Sequence, residues 1–260
     1  MKILVCVKQV PDTPEGKLRE DYTLAREFVA QVMNPADESA LEKGLALRDA
    51  YGGNVTVVTM GPKHAEGMLR EALSRGADEA VLLSDPAFAG ADTLATARAL
   101  QSAFGSLGGF ELVLCGRRAV DGETGQVGAM LSSLMDFPCV TNATDLRVEG
   151  AADADSGAPQ TLLVDQLTEE GVQVWRCHLP AVITLCEWSH RLRLPSLAGM
   201  RRAAKTDIRR FTPADLGLPT ALCGLKGSLT RVIRVCASPW GVRPCEKLDV
   251  EAFLQKGVLP

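Results

Sequence analysis

The 260-residue sequence has little of three things: aromatic side chains, histidines and excess charge of one sign. Aromatic residues make up 5% of the chain, which argues against a binding surface built from many stacked rings. The 28 Lys and Arg are outnumbered by 32 Asp and Glu, so no basic field holds a nucleic-acid backbone. His64, His178 and His190 are too scattered to suggest a catalytic triad or a metal site. Nucleic-acid binding and catalysis by side chains are therefore disfavoured.

The sequence also lacks cysteine pairs and long apolar runs. None of its eight cysteines forms a C-x-x-C arrangement, which argues against zinc, an iron–sulfur cluster or a dithiol redox pair. No apolar run approaches the ~18 residues that span a bilayer, so we expect no membrane insertion. The remaining composition, 46% hydrophobic and 23% charged, is that of a globular protein with one large core. These features predict a cytoplasmic protein with buried thiols.

The first half of the chain alternates short β-branched runs with segments of helical periodicity. Four such pairs are present: Lys2–Gln9 with Ala36–Tyr51, Asn54–Thr59 with Lys63–Arg75, Glu79–Ser84 with Asp92–Phe104, and Phe110–Cys115 with Thr124–Met135. Near-continuous apolar strands joined by helices require a sheet that is covered on both faces. The predicted fold is therefore α/β, with a mostly parallel, Rossmann-like sheet and helices on both faces.

The pattern changes after Pro138. Three runs alternate as half-solvated antiparallel strands do, and a fourth is continuously apolar: Thr144–Glu149, Gln160–Gln166, Val172–Cys177 and Ala181–Cys186. We predict a nucleotide-binding α/β domain over residues 1–190 that includes this small antiparallel region. Residues 191–260, which begin with a basic stretch and continue into a proline-containing tail, are predicted to wrap another surface. A solvated extension is the alternative for this tail.

The most informative stretch is Cys115–Met130, CGRRAVDGETGQVGAM, at the end of the fourth predicted strand. Ligands of open α/β sheets bind outside the carboxyl ends of the strands. Four glycines permit close approach of backbone N–H groups to an anion, and the following helix adds partial positive charge: Gly116, Gly122, Gly125 and Gly128. Phosphate binding is the hypothesis, although glycines needed only for turning and packing explain the pattern equally well.

Side chains in the same loop fit this hypothesis unevenly. Thr124 and Gln126 are candidate hydrogen-bond donors to phosphate, and Arg117 or Arg118 is a candidate source of positive charge. The acidic residues of the loop would repel a phosphate, so we expect the carboxylates of Asp121 and Glu123 to point elsewhere. The spacing matches neither a P-loop nor a G-x-G-x-x-G dinucleotide motif.

Other strand-end loops belong at the same edge if the sheet is parallel. They are Val10–Thr13 and Thr59–Pro62, together with the turn Asn34-Pro35-Ala36-Asp37 that opens the first long helix. A mononucleotide fits such a pocket, with Asn34 free to hydrogen-bond a base. A plain helix N-cap is the alternative role for Asn34.

These stretches together resemble the β subunit of electron transfer flavoproteins. The resemblance rests on KILVCVKQVPDT, the Met33–Asp37 turn, GADEAVLLSD and CGRRAVDGETGQVG, followed in order by LPAVITL, LPSLAGMRRA and ADLGL. It implies a heterodimer in which a C-terminal arm embraces an α subunit that carries most of the redox FAD. Such a heterodimer accepts electrons from acyl-CoA dehydrogenases or other flavoprotein dehydrogenases, so the chain is an electron-transfer subunit rather than an enzyme by itself.

The resemblance also implies a nucleotide site in this chain, which holds AMP in many members and a second, redox-active FAD in electron-bifurcating ones. The run Asp121–Gly128, DGETGQVG, is more like the D-G-D-T-x-Q-V-G form of bifurcating and related bacterial members, which favours FAD and leaves AMP as the alternative. The implied cofactor-binding residues are Cys6, Asn34, Pro35, Ala36, Asp37, Met60, Gly116, Arg117, Arg118, Ala119, Val120, Asp121, Gly122, Glu123, Thr124, Gly125, Gln126, Val127, Gly128, Ala129, Met130 and Leu131.

A recognition loop for partner dehydrogenases is implied as well. It comprises Leu194, Pro195, Ser196, Leu197, Ala198, Gly199 and Met200, with Leu194 as the apolar anchor. Packing of these leucines within the chain is the alternative. The flanking Ser189–Arg193 departs from the Asn-x-Pro-Arg-Tyr of relatives, which leaves the partner's identity open. The neighbouring basic cluster steers an acidic partner or is simply solvated: Arg191, Arg193, Arg201, Arg202, Lys205, Arg209 and Arg210.

The main rival from another class is a homo-oligomeric nucleotide-binding regulatory protein of the universal-stress type. Such a protein shares the α/β layout and an adenine-nucleotide pocket. It explains the glycines of Gly116–Gly128 but leaves the segment from Leu194 to Pro260 without a purpose.

Overall fold

The computed structural model describes residues 1–12, 30–149 and 161–233, which form nine strands of one sheet with helices on both faces. In chain order the strands are β1 (Lys2–Cys6), β2 (Gln9–Pro11), β3 (Gln31–Met33), β4 (Asn54–Met60), β5 (Glu79–Leu83), β6 (Leu112–Gly116), β7 (Cys139–Glu149), β8 (Thr161–Thr168), β9 (Gly171–His178), β10 (Ala181–Leu185) and β11 (Ile208–Phe211). The helices are α1 (Pro35–Tyr51), α2 (Glu66–Arg75), α3 (Thr93–Ser106), α4 (Val127–Met135), α5 (Leu197–Lys205) and the one-turn α6 (Gly224–Gly227). The predicted α/β fold class is confirmed.

The sheet has the order β11-β5-β4-β1-β6-β10-β7-β8-β9, while β2 and β3 form a separate antiparallel pair. Every pairing from β11 through β7 is parallel, and β7-β8 and β8-β9 are antiparallel. The central parallel strands β1, β4, β5, β6 and β10 are mostly buried on both faces, and all five residues of β10 are buried. This burial explains why the strands read as continuous apolar runs.

Two apolar clusters lie on opposite faces of the sheet. The first packs α1 and α2 against the strands through residues such as Leu41, Leu45 and Leu69. The second packs α3 and α4 through Leu100 and Leu131. The helices follow the strands of the first half in the predicted order, so the four predicted β–α units are present.

The region after residue 190 is more ordered than a loop and an extended tail. Ser196 caps α5 by accepting a hydrogen bond from the N–H of Gly199 at 2.9 Å. β11 follows α5 and pairs in parallel with β5 at the edge of the sheet. Sequence inspection missed both elements because α5 carries a basic exposed face and β11, Ile208–Phe211, has two arginines that an edge strand turns to solvent.

The predicted arm continues past β11 into residues that pack at the start of α3. Asp92 accepts hydrogen bonds from the N–H groups of Leu229 and Thr230, at 2.8 and 2.9 Å. Residues 234–260 of the predicted arm lie outside the described residues. The loop Val10–Thr13 is described only to Asp12.

Candidate functional site

The residues predicted for the site lie at the carboxyl edge of the central strands. Cys6 ends β1, and its cross-strand neighbour on β6 is Cys115, one residue before Gly116. Met60 ends β4 on the other side of β1. The loop 117–126 leaves β6 at this edge and runs into α4, as the parallel topology requires.

Asn34, at the N-cap position of α1, is completely buried and holds the loop. Its side-chain nitrogen donates to the carbonyl of Arg118 at 2.9 Å, and its side-chain oxygen accepts from the N–H of Val120 at 3.1 Å. It makes no side-chain capping hydrogen bond to α1. The predicted N-cap role is therefore not the one that the side chain fills, and contact with a base stays a prediction.

Asp37, in the first turn of α1, bridges the ends of two strands. Its two carboxylate oxygens accept hydrogen bonds from the N–H of Lys8 at 2.7 Å and from the N–H of Gly116 at 3.1 Å. The side chain is almost fully buried, and burial raises its pKa to about 7 despite the hydrogen bonds and the nearby Lys8, which lower it. Asp37 is thus a carboxylate whose charge state changes near neutral pH.

Three of the four glycines have reasons within the protein. A Cβ on Gly116 would lie 2.2 Å from an oxygen of Asp37, and one on Gly128 would lie 2.4 Å from a methyl carbon of Thr184. Gly125 has a φ of +62°, in the left-handed region that glycine adopts without strain. Gly122 has open space where its Cβ would be and needs no positive φ. Turning and packing therefore explain three glycines, and neither explains Gly122.

The left-handed residues also explain why α4 begins later than predicted. Glu123, with a φ of +50°, and Gly125 cannot continue into a right-handed helix. The helix therefore begins at Val127, and Thr124 and Gln126 belong to the exposed end of the loop.

The first turn of α4 offers backbone donors without a side-chain acceptor. Gln126, at the N-cap, makes no capping hydrogen bond, because its side-chain oxygen accepts from the hydroxyl of Thr93 at 2.9 Å. No acidic residue lies in this first turn. The N-terminal N–H groups of a helix and its dipole favour an anion when no side chain caps them. This end of the loop therefore suits phosphate.

Charges around the loop are arranged in pairs. Arg117 makes a bidentate ion pair with Glu187, at 2.6 and 2.7 Å, and this pairing lowers the pKa of Glu187 to about 2. Arg118 is more exposed and lies 3.4 Å from Glu187 and 3.7 Å from Glu123. Arg118 is therefore the better placed of the two arginines for an incoming anion.

The acidic residues of the loop point to cations, as expected from the sequence. The carboxylate of Asp121 pairs with the Nζ of Lys8 at 2.6 Å, and Glu123 faces Arg118. Lys8 and Glu187 are the functional side chains that sequence reasoning missed. The available signal was their position, since each is a charged residue that directly follows an apolar strand run.

The remaining predicted residues of the loop and helix differ in access. Ala119 and Met130 are half-buried, Ala129 is exposed, and Leu131 is fully buried in the core beneath α4. Pro35 is half-buried and Ala36 is buried at the start of α1. The side chain of Leu131 packs into the core and is not accessible to a ligand, so Leu131 can only support the residues around it.

The predicted recognition segment presents apolar side chains to solvent. Leu194 and Leu197 are 80% and 78% exposed, and Met200 is 48% exposed. Leu197–Met200 form the first turn of α5 rather than a loop. Gly199 lets this turn lie close to α2, because a Cβ there would be 2.1 Å from the carbonyl oxygen of Ser74. Both leucines are therefore largely free of contact with the described part of the chain.

The basic cluster beside this segment is largely neutralised. Four of its seven members pair with acidic residues of the same chain: Arg193 with Glu42 and Asp49, Arg202 with Asp78, Arg209 with Glu79, and Arg210 with Glu66. Arg191, Arg201 and Lys205 have no such ion pair within the described ranges. Electrostatic attraction of an acidic partner to this surface would therefore depend on three cations that the described residues leave unpaired, rather than on seven.

The described residues contain neither a metal-binding cluster nor a membrane-spanning helix. No group of three or more His, Cys, Asp or Glu is placed to hold a metal ion. No helix in these ranges combines the length and apolar character needed to cross a bilayer.

Comparison with known proteins gives consistent matches over most of the chain. The model of the electron transfer flavoprotein domain matches residues 21–216. The electron transfer flavoprotein subunit beta of Thermoanaerobacterium thermosaccharolyticum is 42% identical over 235 residues, which are 90% of this chain and 86% of the relative. Subunit CarD of the caffeyl-CoA reductase-Etf complex of Acetobacterium woodii is 40% identical over 241 residues, with 92% and 88% covered. Protein FixA of Bradyrhizobium diazoefficiens is 40% identical over 245 residues, with 92% and 83% covered.

Proposed function

This chain belongs to the electron transfer flavoprotein family as a beta subunit, and from that premise we propose that it holds an adenine nucleotide at the carboxyl edge of its sheet. We propose further that it works in a heterodimer with an alpha subunit that carries the redox FAD. The heterodimer accepts electrons from flavoprotein dehydrogenases, such as those acting on acyl-CoA, and passes them on. When bound, the flavin supplies the electron chemistry, and the role of this chain is to bind and orient.

One observation carries the nucleotide proposal: the first turn of α4 offers uncapped backbone N–H groups at the end of the loop that contains Gly122 and Arg118. These groups fit a phosphate, because they combine backbone donors, close approach and one partly exposed cation. Cys6 and Met60 border the adjoining strand ends, where the nucleoside would lie. Asn34 supports the site by holding the loop in place.

The nucleotide we propose is a second FAD, with AMP as the alternative. The loop DGETGQVG favours FAD, and one relative, CarD, is by its name a subunit of a caffeyl-CoA reductase-Etf complex. Both ligands share the adenosine phosphate half, so the phosphate donors described above serve either one. With FAD in this site, the heterodimer would be part of a bifurcating oxidoreductase.

The exposed apolar residues Leu194, Leu197 and Met200 support a partner-binding surface in the segment Leu194–Met200. An apolar anchor within a polar rim is how small, transient interfaces gain specificity. Residues 191–260 are proposed to supply this surface and the arm that holds the alpha subunit. The absence of C-x-x-C pairs and the buried thiols support a cytoplasmic location.

The test is to co-express the full chain with its alpha subunit and to measure the nucleotides released by denaturation. Two FAD per heterodimer supports the proposal, and one FAD with one AMP supports the alternative ligand. A colourless homodimer that retains ATP would instead favour a regulatory protein of the universal-stress type.

A charge variant tests the position of the phosphate. Gly122→Glu places a carboxylate in the open space beside α4, and repulsion should weaken nucleotide binding at least about tenfold. Gly105→Glu is the matched control, because Gly105 also has open space at its Cβ and lies in the last turn of α3, which leads back to the amino end of β6. Equal nucleotide content in the two variants would contradict this placement.

A further inference from the structure

Asp37 is a buried carboxylate to which the proposed function assigns no specific task. It is 6% exposed, and its two oxygens accept hydrogen bonds from two main-chain N–H groups, with the side chain of Asn34 as a further hydrogen-bond partner. One donor, the N–H of Lys8, follows β1, and the other, the N–H of Gly116, ends β6. A single side chain from α1 therefore joins the ends of the two central strands.

The same turn of α1 reaches the loop at other points. Asn34 binds the main chain at Arg118 and Val120, and Lys8, held through its N–H by Asp37, extends its Nζ to Asp121. The hydrogen bond to Gly116 fixes the residue from which the loop starts. The position of the loop, and with it the open donors of α4, therefore depends on contacts that begin at Asp37 and Asn34.

We propose that Asp37 is a positioning residue for the nucleotide site: ionised, it holds Lys8 and Gly116 together, and protonated, it releases one of them and weakens nucleotide binding. The part of the proposal that concerns the nucleotide rests on the proposed function. The part that concerns Lys8 and Gly116 rests only on the geometry. Protonation matters because a carboxylic acid has a donor where the carboxylate had an acceptor, while both neighbours are N–H donors.

The charged and titratable groups around Asp37 act in both directions. The ammonium of Lys8, which also pairs with Asp121, favours the ionised form, as does the N-terminus of α1. The pKa of the Cys115 thiol is raised chiefly by its hydrogen bond with Cys6 and by burial, and the nearby charge of Asp37 raises it further. Burial favours the protonated form and outweighs the other contributions, which brings the titration of Asp37 to near neutral pH.

The test compares wild type with Asp37→Asn in the full chain co-expressed with the alpha subunit. Asparagine keeps the shape but turns an NH₂ group toward one of the two N–H donors at every pH. With FAD and AMP as probes, the wild type should bind more weakly at pH 6 than at pH 8. Asp37→Asn should bind about 5 to 100 times more weakly than wild type at pH 8, the factor for one unsatisfied buried donor, with the difference shrinking at pH 6.

Asp207→Asn is the control, since Asp207 is exposed between α5 and β11. Its affinity should follow wild type at both pH values. The ratio of variant to wild type is taken at each pH, because the phosphate of AMP itself titrates near pH 6. A ratio for Asp37→Asn that stays at one, or that does not change with pH, overturns the proposal.

Hydrogen exchange separates this proposal from the proposed function. In wild type, the backbone amides of Lys8 and Gly116 should become less protected from hydrogen exchange as pH falls from 8 to 6, whether or not nucleotide is bound. The protection is compared after correction for the intrinsic exchange rate at each pH. If wild type binds neither FAD nor AMP, the proposed function fails, and the exchange result still judges Asp37. Unchanged protection overturns the proposal. Because this measurement uses wild type alone, it holds even if Asp37→Asn does not fold.

Discussion

Gly116→Ala isolates a steric requirement of the site, because the residue needs no left-handed backbone. A Cβ at this position would lie 2.2 Å from an oxygen of Asp37 and 2.8 Å from the Cβ of Ala36. Ordinary contacts begin near 3.4 Å, so the carboxylate or the end of β6 must move by more than 1 Å. This movement breaks the 3.1 Å hydrogen bond from the N–H of Gly116 to Asp37.

The cost combines overpacking, about 1–3 kcal/mol, with a buried donor and acceptor that lose each other, about 1–3 kcal/mol. A total of about 2–6 kcal/mol corresponds to a fall in the unfolding temperature of about 4–24 °C for a chain of this size. Thermal unfolding of the co-expressed heterodimer, followed by circular dichroism and by release of flavin fluorescence, measures this shift.

The matched control is Gly67→Ala on α2, where the added methyl group meets open space and should leave the unfolding temperature unchanged or slightly higher. Nucleotide content should fall in Gly116→Ala alone. If Gly116→Ala unfolds at the wild-type temperature, the close approach between β6 and the first turn of α1 does not organise the site, and the reasoning is refuted.

Three further predictions concern other contacts. Glu187→Gln should lower stability by about 1–2 kcal/mol at pH 7, because Arg117 loses a bidentate carboxylate. Since the pKa of Glu187 is lowered to about 2, the greater free energy of unfolding of wild type, measured by denaturant melts, should persist above pH 4.5 and disappear as pH falls toward 2. A difference between wild type and Glu187→Gln that does not change with pH would contradict the ion pair. Leu194→Ala should slow electron transfer from a partner dehydrogenase about tenfold or more at limiting partner concentration, with an unchanged unfolding temperature, because the side chain is 80% exposed; an equal loss in the control Leu167→Ala, at an exposed leucine of β8, would count against a specific anchor. Asp92→Ala should lower the free energy of unfolding by about 1–2 kcal/mol, because it removes the N-cap of α3. It should also weaken subunit association measured by sedimentation, because the segment at Leu229 and Thr230 loses its hydrogen bonds to Asp92. Unchanged association would show that this segment does not contribute to the interface.

The four β–α units were predictable because the sheet is buried on both faces. Each strand then reads as an apolar run, and each helix shows one apolar stripe, so local periodicity carries the topology. The same logic placed Cys6, Met60 and Gly116 at one edge. Glycine and proline marked the turns correctly, including Pro35 at the first position of α1.

Other features depend on neighbours that are distant in sequence. β11 is an edge strand with two arginines, and it becomes a strand because β5 offers an unpaired edge. The start of α4 is set by left-handed residues whose conformation the loop contacts maintain. The basic cluster loses most of its charge to acidic residues of α1, α2 and β5, such as Glu42 and Glu66, which no local pattern reveals.

The sequence by itself determined the fold class, the edge at which the candidate site lies and the family, because periodicity, glycine spacing and motif order are local properties. Only the tertiary structure decided what each residue does there. It made Asn34 a holder of the loop, gave Gly116 a steric reason and left Gly122 open. It also buried Asp37 between two backbone donors. These roles come from distances between segments 30 to 120 residues apart, and such distances exist only once the chain has packed.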